Sequence, residues 1–200
     1  AGTHDERLIV DAGFLELVRL GVKSPDDPLI VKSLKVIDEV IKVRTPNGDS
    51  FYRYNFDGYG DTYDGKRWNW DTTWRGNGHL WALLSGERGQ YEIALAEHKM
   101  RNAPSKSPTT RPNAAVTGLL NGAKSRLDAM LDFSNDGLMI PAQIWEKPTI
   151  PRNIDYGFMP PLKFGEGNGS ATPLAWSMAQ FIRLAMNLKN GRNLETPTVV

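Results

Sequence analysis

The chain has 200 residues, 40% of them hydrophobic, with 24 basic against 23 acidic residues and a formal net charge of +1. That balance fits one globular unit with a sizeable core, and it gives no electrostatic reason to expect nucleic acid, a polyanion or a membrane surface as partner. Cysteine is absent, which excludes disulfides and thiolate metal sites, and no apolar run approaches the roughly 20 residues that span a bilayer.

The opening Ala1-Gly2-Thr3-His4-Asp5 lacks the basic and apolar regions of a signal peptide, and the chain reads as beginning in mid-domain. Leu8, Ile9, Ala12, Leu15 and Val18 to Leu20 recur at three- and four-residue spacing and predict a helix over 5–20 that ends at Gly21. Pro28 opens a second helix with Ile30, Val31, Leu34, Ile37, Val40 and Ile41 on its apolar stripe. Asp26 or Asp27 is its cap. Residues 45–75 are rich in Tyr, Trp, Asp and Gly. They predict two short strands or an ordered loop, and no helix.

Helical character returns over 78–84 and 87–98, with Ser85 and Gly86 as the break between them and Ser85 as a cap. Residues 99–112 are polar, basic and broken by proline, as a surface excursion would be. A long helix follows over 113–133, then a second aromatic and glycine-rich loop over 134–169, then a last helix over 172–188. Long loops inside a compact domain are uncommon and often functional. The fold class expected is all-α. About six helices with elaborate loops at one end describe half of an α/α barrel, which six helices cannot close.

The chain holds 6 Trp, 6 Tyr and 19 Gly, gathered mostly in the loops. Aromatic faces stack on sugar rings, and the same rings serve equally as core. Trp68, Trp70 and Trp74 stand either as a sugar-lining wall or as an apolar plug. His79 and His98 lack the spacing of a zinc site and read as packing and surface residues. Gly165-Glu166-Gly167-Asn168-Gly169 has no preceding strand and is a chance likeness to a phosphate loop.

Four segments, in order, resemble glycoside hydrolase family 15, especially its bacterial glucodextranase and glucoamylase branch. They are Arg53-Tyr54-Asn55-Phe56-Asp57-Gly58-Tyr59-Gly60; the stretch from Gly78-His79-Leu80-Trp81 through Gly86-Glu87-Arg88-Gly89 to Glu92; Gly137-Leu138-Met139-Ile140-Pro141 with Gln143-Ile144-Trp145; and Gly167-Asn168-Gly169-Ser170-Ala171-Thr172-Pro173-Leu174-Ala175-Trp176-Ser177. The resemblance implies an (α/α)6 barrel of twelve helices, with this chain over 1–200 as the C-terminal half of the catalytic domain. It implies an exo-acting, inverting enzyme that releases β-glucose from non-reducing ends of α-glucans such as dextran, isomaltose or malto-oligosaccharides. The N-terminal half would be the partner that carries the general acid. No cofactor is implied, a structural calcium stays open, and a polysaccharide-degrading relative favours a secreted or extracytoplasmic setting.

Inverting hydrolysis uses two carboxyl groups about 6.5–9.5 Å apart with the attacking water between them. In the resembled family the base is the Glu of a Pro-Glu-Gln or Ser-Glu-Gln triplet; the triplet here is Pro141-Ala142-Gln143. Ala142 therefore stands where the base belongs, and this form is expected to be inactive. Glu146 and Glu166 lie in neighbouring loops as substitutes of last resort. Arg53 matches the arginine that addresses sugar hydroxyls in the innermost subsite, and its planar fork can reach two at once. Asp57 either holds a hydroxyl or orients a loop. Trp81 either stacks on sugar or is buried, Gln143 and Trp145 flank the base position, and Trp176 faces the pocket in the resemblance, with core packing as the alternative for a helical tryptophan. A transglucosylase of the same family and a degenerate sugar-binding protein remain alternatives, and a plain helical scaffold would bind no glucose at all.

Overall fold

The computed structural model describes residues 3–60, 78–103, 113–151 and 161–197. The tryptophans at 68, 70 and 74, and most of the excursion over 99–112, lie outside these residues.

Among the described residues, no single helix spans 5–20. Two 3-10 turns, Glu6–Leu8 and Ala12–Leu15, lead into a four-residue helix α1, Glu16–Arg19. The periodicity loses to side-chain caps and to long-range pairing. Asp5 accepts from the Arg7 N–H at 3.0 Å and Asp11 from the Gly13 N–H at 2.6 Å, each fixing a local turn. Between those turns the backbone is extended. The Val10 N–H donates to the Asn55 side chain at 2.7 Å, Asp11 bridges Tyr54, and Asn55 Nδ2 donates to the Leu8 carbonyl at 2.9 Å.

Helix α2, Pro28–Val40, forms where its sequence signals lie, with proline in the first turn and the Asp27 carboxylate, not Asp26, accepting from the Leu29 N–H at 2.8 Å. It buries Ile30, Leu34 and Ile37, and leaves Leu29, Val36 and Val40 exposed. A hairpin follows: β1, Lys42–Thr45, and β2, Gly48–Tyr52. Two further strands of two residues each, β3 at Leu80–Trp81 and β4 at Gln143–Ile144, complete an antiparallel sheet in the order β1-β2-β3-β4.

Helix α3 runs unbroken from Ala82 to Arg101, so the expected break at Ser85 and Gly86 does not occur. Ser85 Oγ donates sideways to the Asp49 carbonyl at 2.8 Å instead of capping. Gly86 is a point of close approach: a Cβ there would lie 2.6 Å from Gln180 Cγ and 2.7 Å from Met130 Sδ. The missing side chain lets α3 seat against α4, Ala114–Asp132, and α5, Ala175–Asn190. Leu80, Ala82, Ile93, Ala123, Met130, Phe133, Ile144 and Leu184 form the main core there. Helix α5 ends at Gly191 in the left-handed conformation (φ 62°), the usual helix stop. Its buried side chains include Ser177, Gln180 and Leu184, while Trp176, Ile182 and Met186 are exposed.

Gly86→Ala therefore sets a gain in helix propensity of about 1 kcal/mol against overpacking of about 1–3 kcal/mol. Met130 and Gln180 are both fully buried and have little room to yield. The variant is expected to melt at lower temperature than the parent. Gly118→Ala on α4, where nothing lies within 4 Å of the added Cβ, is expected to melt higher. Thermal unfolding of the pair, followed by circular dichroism, separates crowding from propensity.

Candidate active site

The sheet positions the site. Phe51, Trp81 and Gln143 are direct partners across β2, β3 and β4, so their side chains share one face. Arg53 follows β2 immediately. Its Nε donates to Asp57 Oδ2 at 3.0 Å and its Nη2 to Asp57 Oδ1 at 2.8 Å, a two-pronged grip on a carboxylate whose side chain is 2% exposed. The Tyr59 N–H also donates to Asp57 Oδ1, at 3.0 Å. Asp57 thus orients its loop and holds the arginine.

The guanidinium sits 4.8 Å from the Tyr54 ring centre, 5.3 Å from Tyr59 and 5.2 Å from Trp81. Such cation–ring contacts fix its plane. Partial burial opposes its charge, but the bonds and charge of Asp57, with Tyr54, outweigh that and hold its pKa above the ordinary value.

Trp81 is buried, and its ring lies 6.2 Å from that of Tyr59 at an interplanar angle of 25°. Among the described residues its buried indole N–H meets no acceptor. Gln143 is buried beside it and donates from Nε2 to the Tyr59 carbonyl at 3.2 Å, which ties β4 to the Arg53 loop. Ala142 precedes it, with its N–H on the Ala171 carbonyl at 2.9 Å and its methyl group in a cluster that includes Trp81, Leu83 and Leu84.

Other candidates stand apart. Trp145 is fully buried and donates from Nε1 to the Pro148 carbonyl at 3.0 Å, so it offers no surface to a ligand. Trp176, in the first turn of α5, is 55% exposed. Glu166 is half exposed, with Lys163 Nζ 3.3 Å away. Glu146 is sealed: His79 Nδ1 lies 2.7 Å from its Oε2 and Lys147 Nζ 3.0 Å from its Oε1. Burial would raise the Glu146 pKa, yet the hydrogen bond and charge of His79, with Lys147, outweigh it and hold the group below its ordinary value. A carboxylate whose side chain is 2% exposed, hydrogen-bonded by His79 and ion-paired with Lys147, is a weakened base shut away from water.

Two buried carboxyls of α3, Glu87 and Glu92, lie outside the site residues that the motifs single out. Glu87, in α3, is pushed up to about 7, first by burial and then by the negative charge of Glu16, with Arg183 and Arg19 pulling the other way. The available signal was its position: four residues after Leu83 and four before Tyr91, it shares their face of the helix.

The family model for glycosyl hydrolases family 15 matches residues 1–186. The chain belongs to that family. A glucoamylase from Clostridium sp. (strain G0005) is 38% identical over 199 residues, covering 100% of this chain and 22% of that protein. A crystal structure of a bacterial glucoamylase complexed with acarbose superposes with a TM-score of 0.73 at 37% identity, covering 98% of this chain and 23% of that one. The family-15 chain thus spans less than a quarter of the length of these relatives, and its helices have the fold of part of an (α/α)6 barrel.

Proposed function

We propose that this family-15 chain is the C-terminal half of an exo-acting, inverting α-glucosidase, built to hold the non-reducing glucose of isomaltose, dextran or a malto-oligosaccharide. The observation that carries the proposal is Arg53: a guanidinium fixed by Asp57 and framed by Tyr54, Tyr59 and Trp81, with the Gln143 amide on the neighbouring strand. A planar donor fork, an amide and aromatic rings are the means by which proteins recognise uncharged hydroxylated rings. The general acid is supplied by the other half of the barrel. The outward Leu29, Val36 and Val40 of α2, and Trp176, Ile182 and Met186 of α5, are apolar surface for that half to cover. The chemistry needs two carboxyl groups and water, and no cofactor.

Ala142 favours a second reading, a catalytically degenerate sugar-binding protein, because alanine neither accepts a proton nor orients water. A transglucosylase of the same family would share the inner site and differ in its acceptor.

Calorimetric titration with isomaltose tests the site common to these readings. Loss of charge-assisted bonds worth about 1.5–3 kcal/mol in Arg53→Ala is expected to weaken binding about ten- to a hundredfold. Arg53→Lys keeps a cation beside Asp57 and loses the fork, so it separates recognition from the cost of stranding a buried carboxylate. Unchanged affinity in both variants would remove Arg53 from the sugar site, and with it the reading.

A further inference from the structure

The two strands that carry Trp81 and Gln143 are only two residues long, and a ladder that short holds its register weakly. What lies just beyond it is polar, charged and buried. Leu80 pairs Ile144, so His79 stands across from Trp145, and their rings are 5.2 Å apart. His79 Nδ1 then reaches one residue further, to Glu146 Oε2 at 2.7 Å, with side-chain exposures of 0% and 2%. Lys147 Nζ approaches the other oxygen of Glu146 at 3.0 Å and lies 5.5 Å from the Trp145 ring centre.

Burying such a group is a poor way to gain stability, because desolvation offsets most of the attraction; its better-attested use is to specify one arrangement over others. The arrangement specified here joins both parts of the candidate site. The Gly78 N–H, next to His79, donates to the Asp57 carbonyl at 2.6 Å, and a Cβ at Gly78 would lie 2.5 Å from Asp57 Cβ. Segment 78–81 is therefore tied at Gly78 to the loop that holds Arg53, at His79 to Glu146, and at Leu80 and Trp81 to both neighbouring strands.

We infer that the His79–Glu146 pair, with Lys147, is a positioning clamp that fixes Trp81 and the Arg53–Asp57 loop against Gln143. It acts through the backbone on either side of β3 and β4 and touches no sugar itself. The inference rests on the glucose-site reading proposed above. His79 and Glu146 are positioning residues, and their contribution is to ligand affinity more than to global stability.

The test compares Glu146→Ala, Glu146→Gln and His79→Asn with the parent, with the rest of the barrel present. Glu146→Gln and His79→Asn each retain a group able to hydrogen-bond across the pair; Glu146→Ala does not. Two readouts are needed: isomaltose affinity by calorimetry, and amide hydrogen exchange at 78–81 and 143–146, with helix α4 as internal control. Expected in Glu146→Ala are faster exchange confined to those two segments and affinity weakened about tenfold, both largely recovered in Glu146→Gln. If Glu146→Ala unfolds, His79→Asn decides: faster exchange at 78–81 and 143–146 with weakened affinity supports the clamp, and parental values of both overturn it. Parental affinity and parental exchange in folded Glu146→Ala, or a uniform rise in exchange across the molecule, would overturn the clamp and leave the glucose site standing. A folded parent that binds no isomaltose would instead overturn the glucose-site reading, and the positioning role with it.

Discussion

Ala142→Glu, with the rest of the barrel in place, is expected to release β-glucose from isomaltose about 10² to 10⁴ times faster than the parent. That range is what general-base catalysis typically contributes. The backbone at this position is already fixed, with the Ala142 N–H on the Ala171 carbonyl at 2.9 Å and the following residue in β4. A new side chain would therefore emerge from a rigid mount, which catalytic geometry requires. Its surroundings are partly apolar, since the alanine methyl packs in the cluster of Trp81, Leu83 and Leu84. Burial raises a carboxyl's pKa, so the gain is expected to fade on the acid side as the base becomes protonated. Proton NMR of the first products reads the stereochemistry: β-glucose in excess of the anomeric ratio that the reducing-end glucose brings accords with a single inverting displacement, and an excess of α-glucose contradicts it. Binding without turnover would make the protein a degenerate sugar binder.

Glu87→Gln is the second large effect, and it concerns stability. The Glu87 carboxyl titrates at about 7 in the folded chain against an ordinary 4.5, because burial and then Glu16 disfavour its charge more than Arg183 and Arg19 favour it. The folded state thus binds this proton more tightly than the unfolded state. Its contribution to stability is fully present below pH 4.5 and is lost as pH rises through 7, a swing of about 3 kcal/mol. Glutamine mimics the protonated acid and never ionises. The variant is expected to match the parent near pH 4, gain on it steadily to pH 7, and keep a constant advantage above that. Denaturant unfolding at fixed pH values measures the difference. An advantage independent of pH would mean that Glu87 ionises freely in the fold.

Much of this architecture was legible because local and tertiary preferences agree. Asp27 with Pro28 announces α2, and the apolar periodicity of its 13 residues carries it through. Where the two disagreed, tertiary contacts won. Residues 5–20 have a helical pattern, but Asn55 and Tyr54 claim the backbone at Leu8, Val10 and Asp11. Gly86 looks like a helix break because glycine costs helix propensity, and only the nearness of Met130 and Gln180 shows why it is there. Strands of two residues, such as β4, have no periodicity to detect. Within the site, the spacing of Arg53 and Asp57 was visible in the sequence, while the direction in which Asp57 points was not. Glu146 could be named as a carboxylate near position 142. That His79 and Lys147 occupy both its oxygens depends on a register no local pattern encodes.

The sheet that frames the site has a consequence for how the chain reaches its native state. The β1–β2 hairpin closes across a short turn, but β3 meets β4 only after α3 and α4, which lie between them in the chain, have come together. Closing so long a loop around two-residue strands is entropically unrewarded until the helices have already brought the ends close. Trp81 and Gln143 therefore become neighbours late, after the helical core has condensed. The candidate-site corner thus depends on contacts between residues far apart in the sequence, and a change that loosens the packing of α3 on α4 is expected to reach Trp81 and Gln143 as well.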